Sequence, residues 1–270
     1  MNSRRDPVAH AVLLIGAFMF IAPMWLLFAG STQDSASIAR GDLSFLPGHE
    51  GFGAYARALS GPVPRMLLIS FGMALAIAVG KIIISVLSAF AVAFFRFPGR
   101  QVAFWLIFIT LMLPVEVRII PTYSVMAGLG LINTFTGLWL PLIASATATL
   151  LFRQVFVAIP DELVEAARMD GAGPLRFLWD IVLPVSKANI AALFVILFIY
   201  GWNQYLWPLL VATNPRLDTI VIGIVKLIAV ETETDWSAVM ATAMLALLPP
   251  VVVVVLMQRW FVAGLTEGEK

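Results

Sequence analysis

Charged residues divide the chain into long uncharged windows, and these windows predict membrane spans. A helix needs about 20 apolar residues to cross a bilayer. The windows are continuously apolar and do not alternate at every second residue, which favours helices over barrel strands. The sequence therefore predicts a single all-α membrane domain over residues 1–270. Its six spans are predicted at about 11–30, 66–95, 101–122, 134–154, 188–212 and 236–259.

The first window has an alternative interpretation as a signal peptide. It follows Arg4 and Arg5, runs from Ala11 to Ala29, and ends at a stretch, Ala29-Gly30-Ser31, that resembles a cleavage site. The apolar core of a signal peptide is about 7–15 residues long, and this window is longer. We therefore expect a retained span.

The distribution of lysine and arginine predicts the orientation, because cytoplasmic loops carry an excess of these residues. With the N-terminus inside, ten of the 17 lie inside and six outside, and Lys81 lies within a span. Both termini are then cytoplasmic. Residues 31–64 are predicted outside and the charged segment 157–187 inside. Pro121 and the turn-like stretch 128–133 predict a loop before the fourth span.

Composition excludes several classes of function. Hydrophobic residues make up 61% of the chain and charged residues 12%, against about 25% charged in soluble domains. A net charge of +1 offers no basic stripe for nucleic acid. With no cysteine and only His10 and His49, the sequence disfavours thiolate or HExxH metal sites and a Ser-His-Asp triad. We expect no metal and no catalytic residues.

The segment 157–187 predicts two short cytoplasmic helices. Pro160 suits the first turn of a helix, and Gly171 is placed to end that helix in a left-handed cap. Pro174 then opens a second helix, which Pro184 stops. Composition alone leaves open that the segment is only a solvated amphipathic loop.

The spacing within this segment resembles a known signature. Glu165-Ala166-Ala167 is followed by Gly171 and, after nine intervening residues, by Ile181-x-Leu183-Pro184. This pattern resembles the EAA motif of ABC-importer permeases. The resemblance implies a type I ABC-importer permease fold, whose coupling segment docks on a separate ATPase subunit, with the small alanine side chains letting the partner approach. The coupling role falls on Glu165, Ala166, Ala167, Asp170, Gly171, Leu183 and Pro184.

Other strings resemble the carbohydrate-uptake branch of this family, which includes maltose importers. They are Phe95–Gly99, Leu113–Glu116 and Gly201–Pro208. Within the branch, Thr110–Arg118 and Tyr200–Trp207 are most similar to the second permease subunits of bacterial sn-glycerol-3-phosphate importers, and Gln204 replaces the glutamate of many other members. A glycerophosphodiester or an oligosaccharide is the alternative substrate. The implied partners are a homologous permease, two ATPase subunits and an extracytoplasmic binding protein.

The chain has no nucleotide-binding motif of its own. Gly80-Lys81 is followed by isoleucine, and Leu75 stands where a P-loop needs its first glycine. ATP and Mg²⁺ are therefore expected on the partner ATPase, with no cofactor on this chain. A secondary transporter would need an ion relay and usually shows inverted repeats. A membrane enzyme would need a catalytic cluster. The sequence displays neither feature.

Lys81 is a charge placed deep in a predicted span. It is 16 and 15 residues from Arg65 and Arg96, or about 23 Å from each along a helix. Intramembrane charges face a pore or pair with one another. Lys81 is therefore either a source of positive potential for an anionic substrate or one half of an ion pair with Glu116.

Polar residues also interrupt the fifth window. Asn203 and Gln204 carry amides that lipid cannot satisfy, and a span broken by Gly and Pro points to a transport path. Hydrogen bonding between helices is the alternative. The candidate translocation pathway comprises Lys81, Glu116, Trp202, Asn203, Gln204 and Tyr205. Glu116 and Arg118 either line the pore mouth or contact a binding protein, or they form a local structural pair, and the sequence leaves these alternatives open.

Overall fold

The computed structural model describes residues 7–112, 115–228 and 234–266, and describes side chains within them except at 111–116 and 261–266. All regular structure in this part of the chain is helical, as the sequence predicts. The α-helices are α1 (Pro7–Ser31), α2 (Ser35–Ala39), α3 (Gly53–Ser60), α4 (Val63–Phe94), α5 (Arg100–Met112), α6 (Val115–Gly128), α7 (Phe135–Trp139), α8 (Ala146–Val157), α9 (Asp161–Met169), α10 (Pro174–Phe177), α11 (Leu183–Val185), α12 (Lys187–Trp202), α13 (Leu206–Val211), α14 (Ile220–Ile228) and α15 (Trp236–Thr266). Leu140–Leu142 and Pro215–Leu217 form 3₁₀ turns, and Leu178–Val182 forms a π-helical turn.

Three helices, α1, α4 and α15, are long and apolar enough to cross a membrane. Two broken helix pairs pass the same test when each is taken as one span. Phe135–Leu142 and Ala146–Val157 meet at 49°, and Pro174–Val185 and Lys187–Trp202 meet at 76°. The remaining predicted span, 101–122, falls on α5 and the first half of α6, and residues 113–114 between them lie outside the described part. The six-span topology stays a prediction.

The described residues fall into two compact units. One unit comprises Met1–Leu68 and Thr219–Pro249, and the other comprises Ile69–Asp218 and Pro250–Lys270. The coupling segment, which is residues 157–187, and the candidate pathway residues on α4, α6 and α12 all belong to the second unit.

In the first unit, Arg57 on α3 connects three chain segments. Its guanidinium lies 3.3 Å from a carboxylate oxygen of Glu50 and 3.3 Å from one of Asp235, and it donates to the Ser237 hydroxyl at 3.0 Å. Partial burial acts to raise the pKa of the Asp235 carboxyl. Hydrogen bonds from Ser237 and from the Ala238 N–H, together with Arg57, outweigh this effect and hold the pKa below its ordinary value.

The second unit contains two buried apolar clusters. One is centred on aromatic side chains of α4, α8 and α10, including Phe90, Phe152, Phe156 and Phe177. The other packs Met73 and Ile77 of α4 against residues of α6, α7 and α13. The first cluster supports the coupling segment, and the second lies at the broken spans.

The predicted loop before the fourth span is present at residues 129–134, but it does not include Pro121, because α6 continues through this proline to Gly128. A proline inside a helix removes one N–H donor. Hydroxyls of Thr122 and Ser124 donate to the carbonyls of Arg118 and Ile120 at 2.7 and 3.1 Å. These side-chain bonds add to the backbone bonds of the turns of α6 that surround Pro121.

Candidate functional site

The coupling segment begins with α9, whose end follows from one glycine. Gly171 has φ +68°, a conformation that glycine adopts without the steric cost of a Cβ atom. The N–H of Ala172 donates to the Ala167 carbonyl at 2.9 Å, and the N–H of Gly171 donates to the Arg168 carbonyl at 3.1 Å. These two bonds form a Schellman cap, so the left-handed cap predicted from the sequence is confirmed.

The segment then continues as a single widened helix. Pro174 opens α10 as predicted, but Pro184 does not stop the helix, which runs through it to Val185. A π-helical turn at 178–182 comes directly before this proline. A π turn accommodates an interruption of the hydrogen-bond ladder, so a helix containing Pro184 persists until the 76° bend before Lys187.

Ala167 faces the body of its own chain and not a partner. It is 5% exposed and packs in the same cluster as Phe177, Leu178 and Val182. Ala167 therefore points inward while Ala166 is exposed, and the coupling role of both alanines stays a prediction. The reason is geometric: adjacent residues of a helix point about 100° apart, so one of them turns inward against α4 and α8.

The outer side of the coupling segment carries large exposed apolar side chains. Met169 is 88% exposed, Leu175 69% and Trp179 67%. Among the predicted coupling residues, Glu165, Asp170, Gly171 and Pro184 are also exposed, and Leu183 is half-buried. A rigid, anchored segment therefore presents apolar groups interspersed with carboxylates.

A cavity lies where the broken spans of the second unit meet. Its lining comes from α6, from the turn between the halves of the fourth predicted span, and from the junction of α12 with α13. The lining residues are Arg118, Ile119, Thr122, Pro141, Leu142, Ala144, Tyr200, Gln204, Leu206 and Trp207.

Hydrogen bonds fix the break in the fifth predicted span. The Trp207 indole donates to the Gly137 carbonyl at 3.0 Å. Asn133, which has φ +57°, accepts through Oδ1 from the N–H groups of Thr213 and Asn214 at 2.7 and 3.0 Å. These bonds connect the segment after α13 to the loop before α7, and they hold the cavity wall in place.

Among the predicted pathway residues whose side chains the structure describes, Gln204 is the one that lines the cavity. Gln204 lies there and donates through Nε2 to the Tyr200 carbonyl at 3.1 Å. Asn203 and Tyr205 are exposed at the break between α12 and α13. Trp202 is 3% exposed and stacks on Phe198 with ring centroids 6.1 Å apart, so its ring packs in the interior and does not face the cavity.

Lys81 lies next to the cavity-lining residue Tyr200. Its side chain is 6% exposed, and its Nζ lies 3.7 Å from the centroid of the Tyr200 ring. The alternative partner, Glu116, has a backbone within α6, but its side chain lies outside the described ones. The contact with Tyr200 is therefore the interaction that the structure describes for this ammonium.

Sequence reasoning missed Tyr200 and Thr122 and left Arg118 undecided. A signal was present for Tyr200, because residues four apart share a helix face and Tyr200 precedes Gln204 by four. For Arg118 and Thr122 the same spacing holds on α6. No signal indicated that these two pairs meet, since that depends on how α6 and α12 pack.

Within the described residues, no group of His, Asp and Glu could hold a metal.

Broken apolar helices around a cavity, with an anchored charged segment between two of them, are typical of a membrane transport subunit. The family model described as "Binding-protein-dependent transport system inner membrane component" matches residues 69–267. The chain belongs to this family. It is therefore a multi-pass membrane permease subunit and not itself an enzyme, and permeases of this kind work with a partner permease, an ATPase and a binding protein.

Similar proteins agree with this assignment over nearly the whole chain. The chain is 58% identical to the sn-glycerol-3-phosphate transport system permease protein UgpE of Rhizobium meliloti (strain 1021), over 97% of this chain and 96% of that protein. It is 53% identical to the protein of the same name from Yersinia pestis bv. Antiqua (strain Antiqua), over 98% and 97%. The crystal structure of a bacterial ABC transporter involved in the import of the acidic polysaccharide alginate contains a chain that is 26% identical, with a TM-score of 0.83 and coverage of 97% and 99%. The predicted ABC-importer permease fold is confirmed.

Proposed function

We propose that the chain forms half of the translocation pore in an ATP-driven, binding-protein-dependent importer of sn-glycerol-3-phosphate in a bacterial inner membrane. It pairs with a homologous permease, and the complex is completed by two ATPase subunits, which bind ATP and Mg²⁺, and one extracytoplasmic binding protein. Both termini are cytoplasmic. Relatives that carry this transport function in their names and are 53–58% identical over nearly full length support the substrate.

The observation that carries the proposal is the construction of the coupling segment. Its inner side is anchored by Ala167 and Phe177 in an aromatic cluster, while Met169 and Trp179 are exposed on the outside. Large exposed apolar groups mark protein interaction sites. Movement of a docked ATPase would therefore reach α8 and α4 through tightly packed aromatic side chains, which transmit displacement because protein interiors are nearly incompressible.

Within that segment, we assign ATPase coupling to Glu165, Ala166, Asp170, Gly171, Leu183 and Pro184. Glu165 is exposed one turn before the cap, and Gly171 forms the cap itself. Ala167 acts from inside by fixing α9 to the body of the permease. The pathway is lined by Gln204, with Asn203 and Tyr205 at the break in the span, and Glu116 stays a candidate.

A glycerophosphodiester or an oligosaccharide is the second candidate substrate. The match to an alginate importer at 26% identity favours keeping it, because that structure has the same fold and its transporter takes a different anionic solute. In importers of this kind the binding protein selects much of the substrate, so the permease fold alone leaves the solute undecided.

The test is uptake of radiolabelled sn-glycerol-3-phosphate by the complete complex in proteoliposomes. We expect uptake that requires ATP and the binding protein, and that falls about tenfold or more in Glu165→Lys, because a reversed charge at a contact with the ATPase is repulsive. Arg216→Gln, an exposed charge outside the coupling segment, is the matched control and should transport normally. ATP-independent uptake driven by an ion gradient would contradict the proposal and favour a secondary transporter.

A further inference from the structure

The ammonium of Lys81 is buried without a described anionic partner. The salt bridges among described side chains do not include it, and the face of the Tyr200 ring 3.7 Å away is its observed contact. A ring face attracts a cation through its quadrupole but offers no oxygen to the three N–H donors of the ammonium. An anion that reached Lys81 would therefore bind it more strongly than Tyr200 does.

A second cation lines the same cavity as this tyrosine. Arg118 is the charged residue among the described lining of the cavity, which Tyr200 also lines. Since Lys81 contacts the ring of Tyr200, both cations lie next to the same cavity-lining residue. Two positive charges at one cavity favour a negatively charged ligand between them, because charges interact more strongly in a partly water-excluded site than in bulk water.

Neutral polar groups around these cations suit the rest of a small polyol. The Gln204 amide is oriented by its bond to the Tyr200 carbonyl, and its oxygen accepts no hydrogen bond from a described residue, so it can accept one from a hydroxyl group. Thr122, one turn after Arg118, has its hydroxyl bound to the Arg118 carbonyl at 2.7 Å. This bond steadies the helical turn that carries the guanidinium.

We propose that Arg118 and Lys81 together form a subsite for the phosphate group of the transported solute, and that the Tyr200 ring holds Lys81 until that phosphate arrives. The inference rests on the proposed function, since it assumes a solute of the phosphate-monoester class. Such a group carries about −1.5 to −2 charges at pH 7, which two cations balance. Arg118 contacts the phosphate from the cavity side, and Lys81 moves from the Tyr200 ring to the phosphate. The amide oxygen of Gln204 accepts a hydrogen bond from a hydroxyl group of the glycerol moiety.

The test is the kcat/KM for uptake of sn-glycerol-3-phosphate in the proteoliposome assay, obtained by varying the concentration of loaded binding protein. Loss of one charge-assisted contact is expected to lower kcat/KM about 10- to 100-fold in Lys81→Met and in Arg118→Gln. Lys81→Arg keeps the charge and the ring contact, so it should stay within about threefold of the unaltered protein. Co-purification of the ATPase establishes that each variant assembles, and Arg216→Gln is again the control for loss of a positive charge.

The variant Glu116→Gln distinguishes a phosphate subsite at Lys81 from a structural ion pair between Lys81 and Glu116. If Lys81 serves the solute, adding Glu116→Gln does not restore uptake to Lys81→Met. If Glu116→Gln restores uptake in the double variant, Lys81 is a structural partner of Glu116 and the inference is wrong. Unchanged uptake in assembled Lys81→Met would also overturn it.

Failure of the proposed function gives a different result. If the unaltered complex does not carry sn-glycerol-3-phosphate but carries another solute, the substrate proposal fails by itself. The same variants are then measured with the transported solute. Equal kcat/KM for Lys81→Met and the unaltered protein would reject the subsite as well, whereas a loss that Lys81→Arg restores would retain it for an anionic group of another solute.

Discussion

Gly171→Val is expected to abolish most ATP-driven uptake while leaving the permease in the membrane. Valine at φ +68° is strongly disfavoured, because a branched side chain clashes with the backbone there. The free-energy cost is about 1–2 kcal/mol or more. The fraction of molecules in which α9 ends in the left-handed cap should therefore fall roughly tenfold or more. Uptake by proteoliposomes and the amount of bound ATPase measure the effect.

The matched control is a glycine two residues further along. Gly173 has an ordinary φ of −68°, and a Cβ atom there would have no heavy atom within 4 Å. Gly173→Val should therefore transport within about threefold of the unaltered protein, as surface substitutions usually cost little. Equal loss in both variants would mean that the segment tolerates no added side chain, and the argument from the left-handed cap would fail.

Gly201→Val is expected to destabilise the permease itself. A Cβ atom at position 201 would lie 2.9 Å from the Ala74 Cα and 3.2 Å from its carbonyl oxygen. Both are backbone atoms of α4 that cannot rotate away, so the two helices must separate. Overpacking of this kind costs about 1–3 kcal/mol. The prediction is a lower midpoint of thermal unfolding in detergent and less assembled complex.

Gly16→Val provides the comparison for that variant. Gly16 is also a glycine inside an apolar helix, α1, but no heavy atom lies within 4 Å of its Cβ position. It should unfold at nearly the midpoint of the unaltered protein. If both variants lower the midpoint equally, helical propensity or insertion explains the loss, and close contact between α4 and α12 does not.

Local sequence signals predicted the parts of the fold that depend on nearby residues. Uncharged windows located α1, α4 and α15, because burial in lipid requires only length and apolarity. The Schellman cap at Gly171 was also predictable, since its hydrogen bonds join residues that are three and five positions apart. The family resemblance depended on the fixed spacing of residues in the coupling segment, from Glu165 to Pro184, which is also a local feature of the sequence.

Features that depend on packing between distant segments were not predictable. The inward direction of Ala167 depends on the aromatic residues of α4 and α8. The contact between Lys81 and Tyr200 joins residues 119 positions apart, and no local rule pairs them. Pro184 was expected to end a helix by its chemistry alone, but the preceding π turn accommodates it.

The central claim is that the segment around α9 protrudes into the cytoplasm and receives force from a separate ATPase. The chain contains no cysteine, so single cysteines can report the side of the membrane. Met169, 88% exposed, and the exposed Arg216 are suitable positions. Met169→Cys should react with an impermeant maleimide only from the cytoplasmic side, with protection when the ATPase is bound, and Arg216→Cys only from outside. Reaction of Met169→Cys from the outer side of intact cells would contradict the account.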